Sequence, residues 1–185
     1  FCHYIHPFLE STQQLMPSIP SVDAIASVRC RVAPGSAAII CEPWQAKQTV
    51  STGNEAKYSL PYCIARVLLG RPVDIASMNT TEVDADAIAL AARIEWEPRL
   101  DSGFPARFDA DLGITLRDGT QLRHSVDQVL GSPQRPATDA AVRAKFNGNA
   151  AGVLGQPAAD AVWAAVMQGG LLPTLQAALR AVEPR

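Results

Sequence analysis

The stretch RFDADLGITLRDGTQLRHSV, residues 107–126, decides the fold class. Phe108, Ala110, Leu112, Ile114 and Leu116 alternate with Arg107, Asp109, Asp111, Gly113 and Thr115. A period of two puts one set on each side of an extended chain, so residues 107–116 are expected to form a half-buried strand. Asp118-Gly119 follows as a tight hairpin turn, because such turns need positive φ and glycine adopts it without a side-chain clash. Leu122, His124 and Val126 continue the pattern on the return strand. Upstream, residues 25–32 alternate in the same way, with Val28, Cys30 and Val32 against Ser27, Arg29 and Arg31; residues 93–97 repeat it with Ile94 and Trp96.

Between these strands the periodicity changes to helical. Residues 7–16 carry Phe8, Leu9, Leu15 and Met16 on one side, start at Pro7 and stop before Pro17. Residues 60–69 form the best-marked early helix: Ser59 is a cap, Pro61 sits in the first turn where a missing N–H costs nothing, and Gly70 ends it. Thr80 or Thr81 is the expected cap of the next helix, with Val83, Ala87, Ile88 and Ala91 on its buried side. Residues 37–41 read as a short strand after a Pro34-Gly35 turn, and residues 44–54 as a loop. The expected fold is α+β: an antiparallel sheet with helices on one face, over residues 1–130. Past a linker-like Gly131-Ser132-Pro133-Gln134-Arg135-Pro136, residues 131–185 read as helices, the last over Thr174 to Val182. Some fifty residues cannot bury much by themselves, so this segment is expected to pack on another surface.

The chain has 185 residues, 48% apolar and 18% charged, with a net charge of −2. That is a foldable composition with no basic footprint, which argues against a nucleic-acid partner. No apolar run approaches a membrane span. Cys2, Cys30, Cys41 and Cys63 match no zinc spacing and are expected to be reduced thiols of a cytosolic protein. The chain opens on Phe1 in an apolar, aromatic stretch, which reads as a piece of something longer. Phosphate loops, dinucleotide fingerprints, nucleophile elbows and zinc-protease helices are absent from the sequence. His3 and His6 could share a face but lack an obvious third metal ligand, and His124 reads as a half-buried strand histidine. Tyr58 and Tyr62 bracket a helix start whose free N–H groups suit a carboxylate; core aromatics at helical spacing fit equally well. Asp109 and Asp111 read as a solvated strand face.

A family resemblance rests on four motifs. Cys2-His3-Tyr4-Ile5-His6-Pro7 resembles a K-x-[YF]-P-[CS]-C-x-x-T-H-P segment. Residues 56–65, AKYSLPYCIA, resemble A-[RQK]-[FY]-S-x-x-Y-x-x-A, followed by Leu68-Leu69-Gly70. Leu116-Arg117-Asp118-Gly119 resembles a strand–DG–strand hairpin, and Gly131-Ser132-Pro133 with Pro136, Lys145 and Phe146 a G-x-P-x-x-P and K-F stretch. Their order and spacing are similar to those of the MmgE/PrpD family, the 2-methylcitrate dehydratase and cis-aconitate decarboxylase group. That resemblance implies an α+β lid and C-terminal helices that return to an N-terminal helical domain, which supplies most of the active site. It implies elimination, decarboxylation or isomerisation of a polycarboxylate without a metal or other cofactor, in a homodimer. It makes Tyr62 the catalytic lid tyrosine, and Ser59 and His6 substrate-binding residues. Ile5 replaces the motif's threonine, and its leading lysine would precede Phe1. A chain of this extent is expected to be inactive alone; the alternative is a stand-alone binding or assembly module that reuses the lid fold.

Overall fold

A computed structural model of the chain describes residues 1–169, Leu172, Pro173, Gln176 and Arg180. The expected helix over Thr174 to Val182 therefore falls largely outside the described residues. The chain forms two compact units, Phe1–Arg135 and Pro136–Arg185.

The first unit is α+β. Its strands are β1 (Ile25–Val32), β2 (Ile94–Pro98), β3 (Ala110–Leu116) and β4 (Gln121–Val126), in the order β2-β1-β3-β4. β3 and β4 form the hairpin, with Gly119 at φ 90° in the turn, and β1 pairs antiparallel to β3. β2 is the exception to an antiparallel sheet: it runs parallel to β1, with Val28 opposite Ile94 and Cys30 opposite Trp96. A parallel neighbour needs a long crossover, and residues 33–93 provide it. β3 also starts later than its alternation predicts, because residues 99–109 form a folded connection.

Helices α1 (His6–Leu15), α2 (Pro34–Ile40), α3 (Trp44–Gln48), α4 (Gly53–Ala56), α5 (Leu60–Leu68), α6 (Ile75–Met78) and α7 (Ala85–Ala91) fill the connections. The expected strand at residues 37–41 is thus part of α2, and the expected loop at 44–54 holds α3 and the start of α4. A five-residue apolar run cannot by itself choose between strand and helix; here Pro34 stands in the first turn of a helix and Ser36, Ala37 and Ile40 face inward. The cap of α7 is Asp84, whose side chain accepts from the amides of Asp86 and Ala87, and not Thr80 or Thr81. At α5 the expected cap holds: Ser59 Oγ accepts from the Tyr62 amide at 3.1 Å.

α1 packs on β3 and β4, and α5 packs on α1 and α7. The core lies in this layer, where Ile5, Phe8, Leu60 and Ile64 meet Val28, Cys30, Ile94, Leu112 and Ile114, all at most 2% exposed. The other sheet face is charged. Arg31 and Arg123 grip Asp111 at 2.9 and 2.5 Å, and Arg29 stands near Glu95 and Glu97. Asp111 is thus buried among arginines and not part of a solvated face; those hydrogen bonds hold its carboxyl down at about 2 against the opposing effect of burial. The end of the unit is fastened to α1, since Arg135 makes two short bonds, 2.6 and 2.8 Å, to the Glu10 carboxylate.

The second unit holds α8 (Asp139–Leu154), capped by Thr138, and α9 (Gln156–Met167), with Gly155 at φ 77° between them. Phe146 and Arg143 both pack on Trp163, and Arg143 bonds Asp160 at 2.9 Å. None of the helices among the described residues is long and apolar enough to cross a membrane.

Candidate active site

Chemistry-bearing side chains gather where the chain opens. Ile5, fully buried, anchors a short 3-10 turn (His3–Ile5) that runs into α1. That anchor leaves His3 exposed and His6 half-buried, their rings 5.5 Å apart and tilted. His6 also stacks on Phe1 at 4.1 Å. Tyr4 lies against Phe108 and Phe104, both at 5.5 Å, and His3 meets Phe108 edge-on at 4.8 Å. The connection between β2 and β3 therefore closes one side of the histidine pair with aromatic rings.

Residues 57–59 are tied to the same opening turn. The Cys2 amide donates to the Lys57 carbonyl at 2.8 Å, which brings the approach to α5 beside the opening turn. Tyr58, next in line, is 46% exposed. Lys57 Nζ reaches the Asn79 side chain at 2.7 Å. Lys47, which the sequence pattern does not mark out, is half-buried; it donates to the Ile39 carbonyl at 2.7 Å, and burial lowers its pKa, with Cys41 and Cys2 in its electrostatic surroundings acting in the opposite direction. No signal short of the fold itself separates Lys47 from any other lysine.

The three residues singled out for the site fall in different places. His6 is in the cluster. Ser59 is fully buried, and its hydroxyl is spent twice, donating to the Lys47 carbonyl at 2.5 Å and accepting from the Tyr62 amide. Tyr62 is 2% exposed, and its hydroxyl accepts from the Asp84 amide at 2.9 Å. Asp84 is itself held by Arg66 and Arg71. In this unit Ser59 and Tyr62 thus tie α5 to its surroundings, and the tyrosine that faces outward is Tyr58. A group that moves a proton to or from a substrate must come within hydrogen-bond reach of it. Of the side chains named here, His3 and Tyr58 are exposed and His6 is half-buried.

The remaining candidates are structural. His124 Nδ1 lies 3.2 Å from the buried Ser11 hydroxyl, on the helix-covered side of β4. Asp109 is enclosed by Ser102 and Gly103. Among the described residues no group of three or more His, Cys, Asp or Glu side chains could hold a metal. All four cysteines are free; burial pushes the Cys41 and Cys63 thiols up to about 12 and the Cys30 thiol up as well, and Cys2 alone is partly exposed. Thiols raised in this way are poor nucleophiles at neutral pH.

The family model described as the MmgE/PrpD C-terminal domain matches residues 1–168. A cis-aconitate decarboxylase of Mus musculus is 28% identical over 105 residues, which covers 55% of this chain and 21% of that protein. The aligned part thus spans about a fifth of the relative's length.

Proposed function

This chain belongs to the MmgE/PrpD family, and from that premise we propose that it is the lid and C-terminal helical part of a lyase acting on polycarboxylates, inactive without an N-terminal helical domain. The observation that carries this reading is the opening turn of the first unit, where the His3 and His6 rings lie 5.5 Å apart and the Cys2 amide ties the turn to Lys57, next to the exposed Tyr58. Elimination needs one group to take a C–H proton and another to give a proton to the leaving oxygen, both within reach of a single substrate. These side chains supply one wall of such a site; the opposite wall would come from the missing domain. The lid-tyrosine role passes in this reading from Tyr62 to Tyr58, because Tyr58 is exposed and Tyr62 is buried. The name of the relative and the family's range leave 2-methylcitrate and cis-aconitate as the substrates to try. A homodimeric, cytoplasmic whole protein belongs to the same proposal, and sizing and fractionation of the full-length protein test it.

The test is turnover of both compounds by the 185-residue chain and by the full-length protein. Activity confined to the longer protein is the expected result. Turnover by the short chain would overturn the division of labour proposed here.

A further inference from the structure

The connection between β2 and β3, residues 99–109, holds two arginines and too few acceptors for them. Arg99 is 9% exposed, and its Nε and Nη1 are enclosed without a hydrogen-bond partner. Buried donors are almost always paired, so such an exception asks for an explanation. The nearest acids are in ion-pair range but beyond hydrogen-bond reach: Asp101 lies 3.7 Å from Nε and Asp109 3.8 Å from Nη1. Asp109 has already given its short bonds away, accepting from the Ser102 hydroxyl at 2.6 Å and from the Gly103 amide at 2.9 Å. The same carboxylate stands 3.8 Å from Arg107 Nε. One acid therefore lies between two guanidiniums and hydrogen-bonds neither.

The consequence falls on Arg107, whose side chain is 44% exposed. Its position is set by shape. A Cβ on Gly103 would come within 2.1 Å of Arg107 Nε and 2.4 Å of its Cγ, so the side chain lies close over a backbone that only glycine leaves open. Next in sequence, Phe108 meets the His3 ring, and Phe104 on the other side meets Tyr4. The same folded connection thus walls the histidine pair and carries a cation whose only acid is shared.

We propose that Arg107 binds a carboxylate of the substrate and so sets the site's preference for polycarboxylates, with Arg99 behind it drawing on Asp109 and leaving the outer guanidinium free to take a ligand. The inference rests on the reading of His3, His6 and Tyr58 as one wall of the active site. A guanidinium fork matches a carboxylate with two parallel bonds, which a lysine cannot reproduce.

The experiment uses the full-length protein with cis-aconitate as probe, or 2-methylcitrate where that is the compound turned over. Arg107→Gln is expected to raise KM roughly tenfold or more with kcat little changed, in line with a lost charged hydrogen bond. Arg107→Lys recovers part of that loss. Gly103→Ala displaces the arginine and gives a similar rise, and the double variant is no worse than Arg107→Gln alone, since both act through one contact. Thermal melting checks that each variant folds. An unchanged KM in Arg107→Gln, or a loss confined to kcat, overturns the assignment while His6→Asn still cuts turnover. If His6→Asn is also without effect, the reading of the site itself has failed and takes this inference with it.

Discussion

Both units of this chain contain regular helices, but those helices have different means of support. Phe1–Arg135 folds around its own interior, with Ile5, Phe8, Val28, Leu60, Ile64 and Leu112 nearly or wholly removed from water. In Pro136–Arg185, α8 buries none of its residues and α9 buries Ala159, Val162 and Ala165. α9 is nonetheless rich in alanine and carries Trp163 and Met167, and Val153 of α8 and Val166 and Met167 of α9 are exposed. Apolar content alone does not make a core. Helices must present it to something, and in the first unit a sheet lies opposite to receive it.

Several substitutions would break or sharpen this contrast. The largest effect is expected from Phe8→Ala in the first unit: filling at the heart of α1 is lost, and urea unfolding should show a deficit of about 3–5 kcal/mol. A deficit below about 1 kcal/mol would mean that the first unit is not the stable one. Tyr62→Phe comes next. It leaves the Asp84 amide without its acceptor, at a cost of about 1–3 kcal/mol, while turnover of the full-length protein persists. Tyr58→Phe should do the reverse, lowering turnover with stability unmoved, and a reversed pair of results would return the catalytic role to Tyr62.

A smaller effect belongs to the open sheet face. Asp111 titrates below an ordinary carboxylate, mainly through its bond to Arg123, so its contribution is complete above roughly pH 4 and fades as the pH falls toward 2. Acid titration of Asp111→Asn should show a shallower loss of stability across that window; an identical slope would remove Asp111 from the account. Thiol labelling of the folded chain should modify Cys2 and spare Cys30, Cys41 and Cys63 until denaturant is added. Least of all, Val153→Ala on the exposed side of α8 should stay within about 0.5 kcal/mol of the parent in the same urea experiment.

What could be read in advance follows from where the information resides. β1 and the β3–β4 hairpin were legible because alternation and an Asp-Gly turn are local and repeat over several residues. α5 was legible because a serine cap and a first-turn proline mark its start. α2 was not, since the Ala37–Cys41 run suits either element, and the parallel placement of β2 was not, since alternation tells a strand which side to bury but not which neighbour to take. The site divides in the same way. A motif could single out His6, but Tyr58 and Tyr62 lie on either side of the start of α5, and what separates them is burial, 46% exposed against 2%. Arg99 and Arg107 carried no mark at all, because sharing a single acid is a property of the folded connection.

The bond from the Cys2 amide to the Lys57 carbonyl joins segments far apart in the chain, and it holds the backbone beside Tyr58 to the backbone beside His3. It is a single backbone bond between partly exposed segments, whereas β3 is paired with a strand on each side, and local opening starts where such support is thin. The site is therefore expected to open while the sheet beneath it is still intact. Amide exchange at Cys2 running ahead of exchange in β3 would show the chain losing its chemistry before its shape.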